Sequence, residues 1–254
     1  MIKTVFIIAI FAFLAGAVYY FVFPDVSKMK KENPKKTSFM EYREKEWKSK
    51  GKKLKIWKKW VPLSNISPYL IKAVIIAEDD KFWSHQGFDL DAMQKALEKN
   101  IEKGAFKVGG STISQQLAKN LYLTPAKNPI RKLKEAVLTW RIERTLSKRR
   151  ILELYLNVAE WGEGVFGVEA ASLHYYNKTA AALSPEEAAR LAVVLPNPRK
   201  LRVDGESRYV EKRAKIIYEI MVKRGIVVPE YEDVMKNLPE EKPTDVLPIV
   251  NGEQ

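Results

Sequence analysis

Residues Val5 to Phe23 read VFIIAIFAFLAGAVYYFVF, an unbroken run without a charge. At helical rise such a run reaches roughly 28 Å, close to the hydrocarbon thickness of a bilayer. A chain that carries this segment must bury it or place it in lipid. Ala15-Gly16-Ala17 imitates the small-residue cleavage site of a secretory signal. The apolar run continues past that point, however, and Tyr19, Tyr20 and Phe23 suit the interfacial belt of a retained anchor. A single N-terminal transmembrane helix over residues 1–24 is therefore expected.

Residues 25–59 are expected to form a basic juxtamembrane segment. From Asp25 to Trp60, 14 basic residues stand against 5 acidic ones, a net of +9 within a whole-chain charge of +13. Trp47, Trp57 and Trp60 are interleaved with the lysines. A basic aromatic stretch can stack single-stranded nucleic acid. Beside a membrane span, attraction to anionic headgroups with tryptophans at the interface is favoured over that, with a solvated linker as the plainer alternative. No nucleic-acid partner is expected. The chain has no cysteine and two histidines, which excludes a disulfide scaffold and a thiolate metal site and disfavours structural zinc.

From about residue 60 to 225 the signals are those of a mostly α-helical domain. Ser67 with Pro68, then Asp89, Thr112 with Gln115, and Ser184 with Glu187 mark helix starts, and Gly225 can end a helix over 207–224. Strand-like alternation is scarce. Residues 226–254 read as an extended or disordered C-terminal extension, and residues 98–108, which lack an apolar period, as a loop over a cleft.

Five polar blocks interrupt this domain: EDDKFWSHQGFD (78–89), GGSTISQQLAKN (109–120), RKLKE (131–135), ILELYLNVAEWG (151–162) and GVEAASLHYYNK (167–178). Glu78 falls on the stripe of Ile71, Val74 and Ile75, so its carboxylate would end an apolar face. Partial burial beside Asp79 and Asp80 would raise its pKa and make it a usable base. Glu135 lies one turn from Arg131 and beside Lys134, either as a surface ion pair or as a second carboxylate in a basic nest. Gly109 and Gly110 permit a tight turn into a helix whose N-terminal amides could face an anion. Ser111, Thr112, Gln115 and Gln116 add hydrogen-bonding groups of the kind that line saccharide clefts. The fourth block has apolar residues on both sides, as in a buried helix, with Glu153 and Asn157 needing partners. His85 and His174 are expected to be satisfied structural histidines.

In order and wording these blocks resemble the glycosyltransferase domain of peptidoglycan synthases, glycosyltransferase family 51, and YLNVAEWG and GVEAAS…HYY resemble its monofunctional branch. The resemblance covers roughly residues 60 to 205. It departs at Asp80-Lys81, where a basic pair is usual, and at Asn177, where glycine is usual. It implies a lysozyme-like, two-lobed helical domain with a central cleft, tethered by the single N-terminal helix to the outer, periplasmic face of the cytoplasmic (inner) membrane. The implied reaction is inverting polymerisation of lipid II into β-1,4-linked glycan with release of undecaprenyl pyrophosphate. Glu78 would be the general base and Glu135 the second catalytic carboxylate. Lys119, Arg131 and Lys134 would contact the pyrophosphate, and Ser111, Thr112, Gln115, Gln116 and Asn120 would bind substrate. No cofactor is required, although a divalent cation (Mg or Mn) could sit at Glu135. Expected partners are lipid II, the growing glycan, the bilayer and proteins of cell-wall synthesis. Ser-x-x-Lys occurs only at Ser27 and Ser49 and Lys-Thr-Gly is absent, so transpeptidase activity is not expected. Lys3 precedes the span and five lysines between 28 and 36 follow it. A positive-inside count would thus leave the domain in the cytoplasm, against the location the resemblance implies.

Overall fold

The computed structural model describes residues 2–102, 109–125 and 128–228. Among the described residues the regular elements are ten α-helices, three short 3-10 helices and three very short strands. The chain is mostly helical, as expected.

Helix α1 covers Ile2–Val22. Among the described residues no helix is long and apolar enough to cross a membrane; within α1 the side chains at 2, 9, 13, 17 and 20–22 fall outside the description. The helical form of this segment matches the expectation, and its insertion in a bilayer is part of the proposal made below for function. The basic segment that follows differs from expectation. Helix α2 (Ser38–Ser49) packs on α5 (Ile113–Tyr122) and buries Phe39, Met40 and Trp47. Trp47 is 1 % exposed, so it belongs to the core and not to an interface. Lys45 and Lys48 are exposed on its outer side, while Arg43 and Lys50 both reach the largely buried Glu46. A stretch that looks solvated by charge count is a half-buried amphipathic element.

Strand β1 (Trp57–Lys58) runs parallel to β3 (Val165–Phe166), which pairs antiparallel with β2 (Glu160–Gly162). This small sheet joins the basic segment to the fourth block and to the residues that lead into the fifth. Helix α7 (Lys148–Val158) is buried on both sides, and its polar residues Glu153 and Asn157 are satisfied. Asn157 accepts from Val61 N at 2.9 Å and donates to Val61 O at 2.8 Å, while Glu153 accepts from Leu63 N at 3.0 Å. The block is thereby a clamp on the lead-in to the domain.

Helices α3 (Pro68–Glu78), α9 (Pro185–Val194) and α10 (Arg208–Lys223) pack together, and α5 packs on α6 (Pro129–Thr145) and α7. Helix α4 (Leu90–Glu102) and helix α8 (Val168–Tyr176) complete the set. Most capping signals act as expected. Thr112/Gln115 and Ser184/Glu187 form full capping boxes, and Asp89 accepts from Ala92 N at 2.9 Å. Gly225, at φ +67, ends α10 with bonds from Gly225 N to Val222 O and from Ile226 N to Met221 O. Ser67 is different: it makes no cap bond and donates to Leu183 O at 3.0 Å, stapling α3 to the segment before α9. Residues 98–102 are the last turns of α4, not a loop, and 103–108 and 229–254 lie outside the described residues.

Gly167 precedes α8 at φ +80, and a Cβ there would stand 2.7 Å from Asn157 O. Positive φ and the backbone clash both oppose a side chain. Gly167→Ala is expected to cost at least about 2 kcal/mol and to lower Tm by about 4–8 °C; an unchanged melting curve would show that the α7–α8 contact yields freely.

Candidate active site

Glu78 is the last residue of α3. Leu70, Val74 and Ile75 anchor that helix in the core, which carries Glu78 to the edge of the buried face. Its Oε2 accepts from Gln116 Nε2 at 2.6 Å, and Gln116 Oε1 in turn accepts from the Tyr155 hydroxyl at 3.2 Å. Oε1 of Glu78 is buried and has no hydrogen-bond partner. Burial raises the Glu78 pKa, the nearby Asp79 charge adds to the rise, and the Gln116 bond with the charges of Lys119 and Arg213 opposes it. The expected direction is thus met, with burial as the main cause.

Asp80 contributes little to that shift. It faces outward and makes a bidentate pair with Arg224, at 2.5 and 2.9 Å. Asp79 turns inward instead and is 7 % exposed. Its Oδ2 accepts from Ile113 N at 2.9 Å, and its Oδ1 meets His85 Nε2 at 2.8 Å. Because His85 Nδ1 accepts from Gly87 N at 3.0 Å, the ring proton is assigned to Nε2. His85 is a satisfied structural histidine, as expected.

The start of α5 departs from expectation. Its amides are not all open to an anion: Ile113 N is held by Asp79, and Gln115 N by Thr112 Oγ1 at 3.2 Å. Thr112 Oγ1 donates to Gly87 O at 2.7 Å, and Gln115 Oε1 accepts from Thr112 N at 3.0 Å. Both side chains are buried and engaged in the turn itself. Ser111 is exposed and lines a cavity of about 240 Å³ shared with Glu78, Asp80, Lys81, Asp91 and Gly110. Gln116, Lys119 and Asn120 line a second cavity, about 130 Å³, with Arg43, Tyr155, Glu160 and Arg199. Glu78 and its partner Gln116 therefore stand between an acid-rich space and a cation-rich one.

Glu135 is not a surface ion pair. It is 3 % exposed and accepts from Arg131 Nη1 at 2.8 Å and from Lys132 Nζ. Lys119 lies within the field of both carboxylates: burial lowers its pKa, Glu135 and Glu78 pull it up, and Arg131 and Lys132 push it further down. The structure thus brings Glu78, Gln116, Lys119, Arg131 and Glu135 into one electrostatic unit. Lys134 sits on the same helix, with its pKa lowered by burial, but it is Lys132 that reaches Glu135. Lys132 was missed by the sequence, although its i,i+3 spacing to Glu135 is a legible signal. Arg43 and Glu160, joined at 2.7 Å, were missed as well. They lie 117 residues apart, and no local signal could pair them.

Both Glu135 oxygens face cations, and among the described residues no group of three or more His, Cys, Asp or Glu could hold a metal ion. Glu135 is already paired with Arg131 and Lys132 in this arrangement.

The Transglycosylase family profile matches residues 46–222. A biosynthetic peptidoglycan transglycosylase of Nitrosospira multiformis is 45 % identical over 220 residues, covering 85 % of this chain and 96 % of that protein. Proteins of the same name from Dechloromonas aromatica and Aromatoleum aromaticum are 56 % and 57 % identical over 167 and 168 residues, each covering 66 % of this chain and 72 % and 73 % of their own. The chain belongs to the transglycosylase family.

A raised carboxyl pKa has a consequence for stability. A group whose folded pKa exceeds its unfolded value favours the fold below the unfolded pKa, and that contribution is lost as pH rises through the folded pKa. The ionised form of Glu78 thus weighs against the fold wherever the pH lies above its raised pKa. Glu78→Gln is expected to raise Tm relative to the parent protein at high pH, the gain shrinking as pH falls to the ordinary carboxylate range. A lower Tm at high pH would contradict the desolvated carboxylate.

Proposed function

We propose that this enzyme polymerises lipid II into β-1,4-linked peptidoglycan strands. The observation that carries the reading is the Glu78 carboxylate, fixed through one oxygen by Gln116 while the other is unpartnered, beside a Lys119 shared electrostatically with Glu135. The relatives' name, biosynthetic peptidoglycan transglycosylase, supplies the polymer. Glu78 takes the proton of the acceptor's N-acetylglucosamine 4-hydroxyl as that oxygen attacks the anomeric carbon of the donor's N-acetylmuramic acid. The bond from that carbon to the pyrophosphate oxygen breaks with inversion, and undecaprenyl pyrophosphate leaves with the electron pair. Lys119, Arg131 and Lys134 offset the charge that builds on it, with Lys132 added to the set, and Glu135 keeps the cations in place. The acceptor and growing chain occupy the cleft between two lobes, where Ser111 and Asn120 line its cavities and Thr112 and Gln115 shape the turn. Any divalent cation would arrive with the pyrophosphate. Transpeptidation is no part of the proposed activity.

Residues 1–24 are proposed to anchor the enzyme in the cytoplasmic membrane, which concentrates it beside a substrate that stays in the bilayer. The domain faces outward, because a domain of this size is poorly governed by a rule for short loops. Partners in the cell-wall machinery would meet it there.

Glu78→Gln preserves shape and removes the proton acceptor, so polymerisation of purified lipid II should drop by at least about two orders of magnitude. Lys134→Ala should lower kcat, since leaving-group charge develops only during reaction. Near wild-type rates in the first variant would remove the assigned base. For orientation, a single cysteine placed in the tail is expected to react with an impermeant thiol reagent in cells with a permeabilised outer layer. The absence of native cysteines keeps that readout clean, and protection would put the domain in the cytoplasm.

A further inference from the structure

One apolar face of α1 stands uncovered where the helix meets α6. Phe11, Leu14, Val18 and Phe23 recur at helical spacing and are 75, 54, 61 and 55 % exposed. They line a cavity of about 790 Å³, within the usual size of ligand sites, whose charged lining residues are Asp25 and Arg141. From residue 11 to residue 23 the helical rise gives roughly 18 Å, close to one leaflet of a bilayer whose apolar core is about 30 Å thick. Both charges stand at one end of that wall, just past Phe23. Arg141 donates through Nη1 to Pro24 O at 3.0 Å, and its charge reaches Asp25. Asp25 accepts from Ser27 N and from Ser27 Oγ, each at 2.9 Å, and a carboxylate has lone pairs for further donors. Val26, 2 % exposed, roots this turn in the core. An apolar trough one leaflet deep thus ends at a fixed pair of opposite charges.

We infer that this cavity holds one zwitterionic glycerophospholipid, with its phosphate on Arg141, its primary ammonium on Asp25 and an acyl chain along the α1 wall. The inference goes beyond the polymerase reading and rests only on the membrane anchor proposed with it. Charge complementarity selects the occupant. A phosphate takes N–H bonds from a guanidinium, and an ammonium gives them to a carboxylate. A lipid-linked diphosphate brings two anionic groups and no cation, so Asp25 would repel it. A second copy of α1 would cover the apolar wall but set both charges against hydrocarbon, which is costly. Lys28, whose charge also reaches Asp25, stands outside the lining and adds to the attraction for the phosphate. A lipid seated there fills the space between α1 and α6 and, by binding the folded arrangement, stabilises it.

The test is native mass spectrometry of the full chain in detergent, titrated in turn with phosphatidylethanolamine, phosphatidylcholine and phosphatidylglycerol. One molecule of the ethanolamine lipid is expected to bind about tenfold more tightly than either of the others, because it alone brings both a phosphate and a cation with N–H donors. Asp25→Asn keeps an acceptor for Ser27 and removes the charge, so the preference for the ethanolamine over the glycerol headgroup should vanish. Arg141→Gln should weaken all three lipids by about tenfold. Tyr209→Gln, which alters an exposed aromatic residue on α10, should change neither quantity. Thermal melting checks that each variant is folded. Equal retention of the three lipids by the parent chain overturns the site, as does an unchanged preference in Asp25→Asn. Displacement by an equal concentration of undecaprenyl diphosphate gives the cavity to the donor, and a lipid-free dimer gives it to a second copy; either result also overturns it. A chain that stays dispersed without detergent removes the anchor and this site with it, while the assignment of Glu78 is judged separately by lipid II turnover.

Discussion

The Asp79 carboxylate is the contact on which the site depends. One oxygen takes the first amide of α5 and the other takes the His85 ring, so a single buried side chain joins the end of α3, the start of α5 and the loop between them. Burial raises the Asp79 pKa, and the Ile113 amide and His85 oppose that rise. Removing the carboxylate would leave a buried amide and a buried ring nitrogen unpaired, which costs far more than the bonds contribute. Glu78 is the neighbouring residue. Its distance to Gln116, one turn into α5, follows from the position Asp79 imposes on the two helices. The helix end that holds the candidate base is thus set by a bond that the base does not make.

A second set of charges places the cation-rich cavity. Arg43 of α2 donates to Glu160 with both Nε and Nη2, and also reaches Glu46, which is shared with Arg199. Burial raises the Glu160 pKa and the Arg43 charge counters it. Such a pair, once partly buried, is a weak source of net stability but a strong source of geometry, because breaking one partner strands the other. Through it the basic stretch after α1 becomes a wall of the cavity that Lys119 and Asn120 also line. A cavity of about 790 Å³ between α1 and Arg141 is apolar and stands apart from these residues. Its place fits the junction of the N-terminal helix with the domain, not the chemistry.

Within the site the electrostatics are graded. Glu78 has its pKa raised by burial, Lys119 has its pKa lowered by burial, and each tends to restore the other. Glu135 keeps Arg131 and Lys132 close to Lys119 and limits the repulsion among three cations. A basic cluster without that carboxylate would scatter its side chains into solvent.

Much was legible in the residues alone. Caps at Thr112, Ser184 and Asp89, the stop at Gly225, the two-sided burial of α7 and the end-of-stripe place of Glu78 all follow from periodicity and local hydrogen bonding, which neighbours in sequence determine among themselves. The five blocks also carried the family. Local pattern could not show that Trp47 enters the core, that Thr112 and Gln115 are used up in their own turn, or that Lys132 and not Lys134 reaches Glu135. It could not pair Arg43 with Glu160. Those facts depend on which surfaces meet after the helices pack. A residue's periodicity fixes the side of the helix it occupies, while burial, field and partner are properties of whatever stands across from that side.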